Sequence, residues 1–335
     1  MAGIKQKSFA VKFAKVLGGF GLIITALTII YAGVNQSTVI TPTVEETKKV
    51  LSPVLLPPAK PSLTVSAVSV EQSDTFTVEV QNVPTNIPVT AFWNDRAYDL
   101  FKVTSVSREE GVGDRWMGIF GADAKKSPGL HSLTVTIGTT TITKTVVVAK
   151  RAFFVTTLVV TPELEKAGYA PPTIKSNVIS ENARLNNALT YIPTPYFSES
   201  FMNPLDHIRD VGAYGNIRKN GSVELQHLGI DLDAVEGTPV YAINDGMVRL
   251  VEDFVNYGKT IVIDHGVGIF SFYLHLNKFN VEVGDLVVRG ATIAYSGNTG
   301  YSIAPHLHFS IRIQNASVDP LRFIKVVNAA LGVSN

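Results

Sequence analysis

His227-Leu228-Gly229-Ile230-Asp231 and His306-Leu307-His308-Phe309 are the two stretches on which the reading of the fold turns. Both alternate polar or small residues with apolar ones, the period of a strand with one face in a core. In the first, a strand would place His227, Gly229 and Asp231 on one face and Leu228 and Ile230 on the other. Gly229 then leaves room for an ion between imidazole and carboxylate. In the second, the two imidazoles share a face, while Leu307, Phe309 and Ile311 supply the core. Tyr273-Leu274-His275-Leu276 reads the same way, with Tyr273 and His275 on a polar face.

Working outward, residues 201–321 are β and dense in glycine. Val240, Ala242 and the turn Asn244-Asp245-Gly246 lead into 247–251 as a hairpin. Residues 260–263 and 270–276 form a strand pair across His265-Gly266-Val267-Gly268, and 281–283, 287–288 and Ile293 continue the series. Upstream, 62–150 shows short alternating runs, such as Phe76, Val78 and Val80, and Leu133, Val135 and Ile137, punctuated by Pro128-Gly129 and Gly138. This pattern predicts a small Ig-like β-sandwich. Residues 151–200 read as a connector with a strand over 153–160 and a short helix N-capped by Ser180 and running to Leu189.

Residues 16–34 carry no charge and follow Lys5, Lys7, Lys12 and Lys15. As a helix this stretch is about 28 Å long, close to the thickness of a bilayer core. The lysines predict a cytoplasmic tail (1–15), a transmembrane signal anchor (16–34) and an exported remainder. The competing reading is a cleaved signal peptide, against which Ile30-Tyr31-Ala32, the best small-residue exit, carries bulky Ile30 where a small residue is wanted. A Pro-rich linker over 35–61 follows. The expected architecture is therefore mainly β: transmembrane helix, sandwich (62–150), connector (151–200), an antiparallel-sheet domain with an open groove (201–325) and a tail (326–335).

Of 335 residues, 45% are hydrophobic, enough for real cores. Lys and Arg number 29 against 28 Asp and Glu, which excludes the basic excess of a nucleic-acid partner. No cysteine is present, so disulfides, thiol catalysis and thiolate metal sites are excluded.

Six of the seven histidines follow residue 206. Two imidazoles and a carboxylate around an open position make a catalytic zinc set, in which bound water becomes a nucleophile near neutral pH. Hydrolysis also needs a proton acceptor and a group for the oxyanion, and imidazoles off the metal can supply both. Spacing leaves open whether His306 or His308 is the ligand. His131 reads as structural, His265 as structural or as a support behind the site, His207 as a bland loop residue, and the Gly297-Asn298-Thr299-Gly300 run as a turn.

His227-x-Gly-x-Asp231, Gly237-Thr-Pro-Val240, Asp245-Gly246, His265-Gly266, Tyr273-x-His275, Gly297-x-Thr-Gly300 and His306-Leu-His-Phe309 occur in the order found in the lysostaphin/LytM-type zinc endopeptidases, and the sequence resembles that family over about 201–321. These are bacterial enzymes that cut peptide cross-links of peptidoglycan. The resemblance implies His227, Asp231 and His308 as Zn2+ ligands and His275 and His306 as catalytic imidazoles. His306 is assigned as general base and His275 to the oxyanion, with the roles exchangeable, and Tyr273 as an aid in the groove. Ser302-Ile303-Ala304-Pro305, Ser310 and the 212–218 stretch depart from the family pattern and bear on groove shape. The implied setting is the bacterial cytoplasmic membrane, single-pass, with the C-terminal domains periplasmic or otherwise extracytoplasmic. Peptidoglycan, the membrane and divisome or envelope regulators are the partners expected, without nucleic acid. The alternative is a non-catalytic wall-binding activator or scaffold of another hydrolase.

Overall fold

The computed structural model describes residues 60–93, 96–103 and 114–332. The transmembrane anchor at 16–34 and most of the linker at 35–61 lie outside them. Among the described residues, no helix is long and apolar enough to cross a membrane.

The expected sandwich is present as two sheets. One has four strands, built on Thr75–Val83 paired with Asp114–Gly121. The other has five, centred on the Gly129–Ile137 and Thr140–Ala149 hairpin. The pairing is antiparallel except for Ser69–Glu71, which runs parallel to Thr140–Ala149. Phe76, Val78 and Val80 alternate into the space between the sheets and are fully buried. There Phe76 meets Trp93 edge-on at 5.0 Å, and Trp93 donates its indole N–H to the Gly121 carbonyl at 3.1 Å. A buried Trp is thus left with no unsatisfied polar atom.

The connector departs from expectation. Its strand is only Val155–Thr157, and its main element is a 17-residue helix, α2 (Pro171–Asn187), after a short α1 (Pro162–Lys166). Ser180 sits in mid-helix and donates to the Asn177 carbonyl rather than capping. The start is set by Pro171 and Pro172, which pre-set φ and lack the N–H groups a cap would have to satisfy. Glu181 is buried beneath the helix and accepts the backbone N–H of Asn256 at 2.8 Å and of Tyr257 at 3.1 Å. Together with Leu185, packed against Phe270 and Phe272, it fastens α2 to the next sheet.

That sheet has ten strands. His306–Ile313 lies between Ile230–Asp233 and Ile269–Phe279, with Gly258–Asp264 and Gly246–Phe254 beyond. The expected pair across 265–268 forms. The expected hairpin at Asn244-Asp245-Gly246 does not. Pro239–Tyr241 pairs instead with Thr292–Ser296, and Gly246–Phe254 pairs with Gly258–Asp264. Asn244 explains the difference: its amide donates to the Glu199 carbonyl and its Oδ1 accepts from Asp245 N, so the turn is tied to another segment. Residues 281–283 are not a strand.

Leu307, Phe309, Ile311 and Ile313 are fully buried in one apolar core continuous with that of the sandwich. Helix α3 (Pro320–Leu331) runs across residue 325 and completes the junction. Asp319 caps it, accepting from Leu321 N and Arg322 N, and also takes the Arg151 guanidinium at 2.8 Å. Phe323 and Val327 are fully buried, each a gain of about 1.5–3 kcal/mol. The sandwich therefore braces the back of the sheet whose opposite face carries the histidines.

Candidate active site

Pairing places Asp231 beside His308 and Asp233 beside His306. The two-residue period then directs His306, His308 and Asp231 to the face opposite the core. His227 reaches the same point differently from expectation. It lies between the strands Val223–Gln226 and Ile230–Asp233, not within one strand with Asp231. Its backbone donates to the Asn216 carbonyl and accepts from Gly215 N, which turns the ring inward. Gly229 leaves room, as expected, but for protein: a Cβ there would overlap Ser310 Oγ and the His308 ring. Gly212 likewise leaves room for the Asp231 carboxylate.

His275 also arrives by an unexpected route. Ile261 pairs with Tyr273 and Lys259 with Leu276, so Leu274 and His275 stand opposite Thr260 alone. This is a β-bulge, and His275 takes φ +59° within it, a strained backbone for a side chain with a Cβ. The bulge breaks the alternation and puts Tyr273 and His275 on opposite faces. Tyr273 is fully buried, accepts from Ile243 N at 3.2 Å and lies 3.1 Å from Ser271 Oγ, so it is a core residue and not part of the groove. His265 is fully buried between the Asp245 carbonyl and Ser271 Oγ, and His207 is an exposed loop residue. Neither is among the groups that converge at the site.

His227 Nε2, Asp231 Oδ1 and His308 Nδ1 converge. Nε2 is 3.0 Å from Oδ1 and 2.9 Å from Nδ1, and Nδ1 is 2.9 Å from Oδ1. The proton inventory shows what belongs between them. His227 Nδ1–H donates to the Ala213 carbonyl at 3.1 Å, which turns Nε2 toward the other two groups. It faces a carboxylate oxygen that has no proton. Burial raises the Asp231 carboxyl, but the His227, His306 and His308 rings outweigh it and hold the group well below the usual range. Burial foremost pushes His308 down to about 4, so that ring is neutral and brings at most one proton. Lone pairs meeting at this spacing call for a cation, and two imidazole nitrogens with one carboxylate suit Zn2+. The three residues fit that ion.

Beside this group, His306 Nε2 lies 3.5 Å from Asp231 Oδ1, and the His275 and His306 ring centroids are 4.8 Å apart. Each ring is oriented by a backbone carbonyl at 2.8 Å, Thr299 for His275 and Ala304 for His306. The turn at 297–300 is thus more than a turn, since its Thr299 carbonyl fixes a site imidazole. Burial lowers His306, but Asp231 outweighs it and raises the ring above its ordinary value. Burial first, then the His306 and His308 rings, push His275 down to about 3.

Two residues of the site escaped the sequence reading as participants. Arg218 donates to Asp231 Oδ2 at 2.9 Å, and Ser310 Oγ is 2.8 Å from His308 Nε2. Both stand where the sequence departs from the family pattern, which was the available signal. Such outer partners orient ligands and tune their basicity. The groove opens on both sides of the imidazoles. One side is a cavity of about 460 Å3 walled by Ser302, Ile303 and Pro305, and the other a cavity of about 360 Å3 under α2.

With this geometry in hand, the comparisons with known proteins are decisive for the domain. The profile of Peptidase family M23 matches residues 225–320. The chain carries an M23 peptidase domain. Within it, the chain is 45% identical over 107 residues to the glycyl-glycine endopeptidase ALE-1 of Staphylococcus capitis, covering 30% of this chain and 29% of that protein. It is 41% identical over 96 residues to the peptidoglycan DD-endopeptidase ShyB of Vibrio cholerae, covering 29% and 22%. The chain thus spans less than a third of the length of either relative. A solved structure of a putative M23 peptidase from Pseudomonas aeruginosa aligns with TM-score 0.50 at 26% identity, covering 71% of this chain and 87% of that one. That likeness extends well beyond the M23 domain itself.

Proposed function

We propose that the protein is a zinc-dependent endopeptidase that hydrolyses amide bonds in peptidoglycan stem or cross-bridge peptides. The observation that carries this reading is the convergence of His227, Asp231 and His308 beside two further imidazoles in a groove open at both ends. Zn2+, when bound, supplies a Lewis acid and lowers the pKa of water. The chain's own residues do the rest. His306 and His275 both donate Nδ1–H to a carbonyl, so both present Nε2 to the groove as a lone pair. His306, whose imidazolium form the neighbouring Asp231 favours, takes the proton of the attacking water. His275 faces the same space from the bulge and is neutral at rest. The proton that His306 takes passes to the leaving amine nitrogen as the C–N bond breaks, and His275 is the ring assigned to the oxyanion. An extended peptide fits a groove floored by strands. ALE-1 and ShyB are named for different bonds, so both cross-bridge and stem amides are candidates.

The uncharged stretch 16–34 behind four lysines supports a single-pass anchor in the bacterial cytoplasmic membrane, with the remainder on the far side and within reach of divisome or envelope regulators. The test uses the full chain in detergent, because the sandwich and the M23 domain share one core. It is incubated with isolated sacculi, with and without a zinc chelator, beside His308→Ala. Chelator-sensitive release of new peptide termini, absent in the variant, is expected. Zinc binding without release from sacculi of several cross-link types would favour the activator or scaffold instead.

A further inference from the structure

The cavity under α2 contains a cation that the hydrolytic chemistry does not use. Alternation along His306–Ile313 puts Arg312 on the same face as His306, His308 and Ser310. Its guanidinium lies 4.8 Å from the centre of the Phe272 ring. Phe272 is the cross-strand partner of Ser310, so the guanidinium packs on the ring opposite the residue one same-face step beyond His308. It donates to Asn186 Oδ1 at 2.7 Å and Asn182 Oδ1 at 3.2 Å, both neutral amides of α2. Among the described residues it forms no ion pair. Asp123 is engaged by the backbone N–H groups of Lys125 and Ser317.

A half-buried guanidinium without an anion is left undercompensated. Burial accordingly pushes the Arg312 pKa down from its ordinary value. The rest of the cavity does not compensate. Lys125 and Lys175 line it, also without an ion pair among the described residues. Its one acid, Glu224, pairs with Lys219 at 2.8 Å, and Arg218 is held by Asp231. Ser310, two residues before Arg312, offers no charge. What remains is an apolar channel, floored by Phe272 and Leu274, that starts at His275 and His308 and ends on an uncompensated fork of N–H donors.

We propose that this cavity is a substrate subsite for a free carboxylate, with Arg312 as the residue that recognises it. The substrate class is then a peptide bearing a free carboxylate on the α2 side of the scissile amide, and this deepens the endopeptidase reading on which it rests. A guanidinium matches a carboxylate with two parallel N–H bonds, which neither Lys125 nor Lys175 can do. Asn182 and Asn186 hold the fork while the subsite is open.

The probes are two synthetic cross-linked stem peptides, identical except that every free carboxylate of one is a carboxamide in the other. Binding and cleavage of each are measured with the zinc-loaded full chain. The wild type is expected to favour the carboxylate form about ten- to a hundred-fold. Arg312→Gln should bring the two within about threefold by weakening only the carboxylate peptide, and Arg312→Lys should fall between. The double substitution Asn182→Ala, Asn186→Ala should keep the preference, because it removes helix contacts and not the cation. A wild-type ratio near one, or an Arg312→Gln ratio equal to wild type, overturns the subsite. So does an equal loss on both peptides, which marks Arg312 as a staple for α2. Preferential binding with no cleavage defeats the endopeptidase reading and leaves the subsite standing. Cleavage without preference does the reverse, and binding of neither peptide defeats both.

Discussion

His265 should make the stability of this protein depend on pH in a way that one substitution removes. The ring is fully buried, donates Nδ1–H to the Asp245 carbonyl at 2.7 Å, and has Nε2 2.8 Å from Ser271 Oγ. Burial pushes it from the usual 6.5 down to about 4. The folded-state value is the depressed one, so the unfolded chain binds the extra proton. The contribution is therefore complete above about pH 6.5 and is lost as pH falls toward about 4. At about pH 5 the shift corresponds to a loss of about 2 kcal/mol relative to about pH 8. His265→Gln keeps an N–H for the Asp245 carbonyl and abolishes the titration. The assay is urea unfolding of the zinc-loaded protein, wild type against variant, at both pH values. Groups common to both proteins cancel in the comparison. The variant should be the less stable at about pH 8, and the gap should narrow by about 2 kcal/mol at about pH 5. A gap that does not change with pH would refute the reasoning, because the buried ring would then not resist protonation.

Gly229→Ala should abolish zinc binding in equilibrium dialysis while leaving far-ultraviolet dichroism unchanged, since its Cβ would displace the His308 ring and Ser310 without touching the core. Retention of zinc at wild-type affinity would show that the ring has room to move. Ser310→Ala removes the partner of His308 Nε2 and should weaken zinc binding about 10- to 100-fold by competition titration; an unchanged constant would mean that the hydroxyl does not orient the ring. In the zinc-free protein the His306 ring should titrate above the ordinary imidazole value of about 6.5 by NMR, because Asp231 raises it. A ring titrating well below that value would show that Asp231 does not act on it.

The mainly β architecture and the pool of candidate ligands were legible because they depend on local periodicity and side-chain chemistry, while the choice of His308 over His306 came from the family resemblance. Alternation alone put His306 and His308 opposite Leu307 and Phe309, and no neighbouring strand could reverse that without exposing the core. Proline, by contrast, concealed the start of α2: Pro171-Pro172 reads equally as a break, and a helix follows only because Glu181 and Leu185 have partners on a distant strand. The turn at Asn244-Asp245-Gly246 was visible, but which strands it joined was not, because the Asn244 side chain bonds a residue 45 positions away.

By itself, then, the sequence determined which groups could bind the ion and which strands would be half-buried, since both follow from residue type and a two-residue period. Tertiary structure alone decided that His275, and not Tyr273, faces the groove, because a bulge exists only relative to the strand it is paired with. The same holds for Arg218 on Asp231, for the Thr299 carbonyl on His275 and for Arg312 beneath α2. Each of these contacts joins segments far apart in the chain. Their energies come from distances of about 3 Å that no spacing along the sequence encodes.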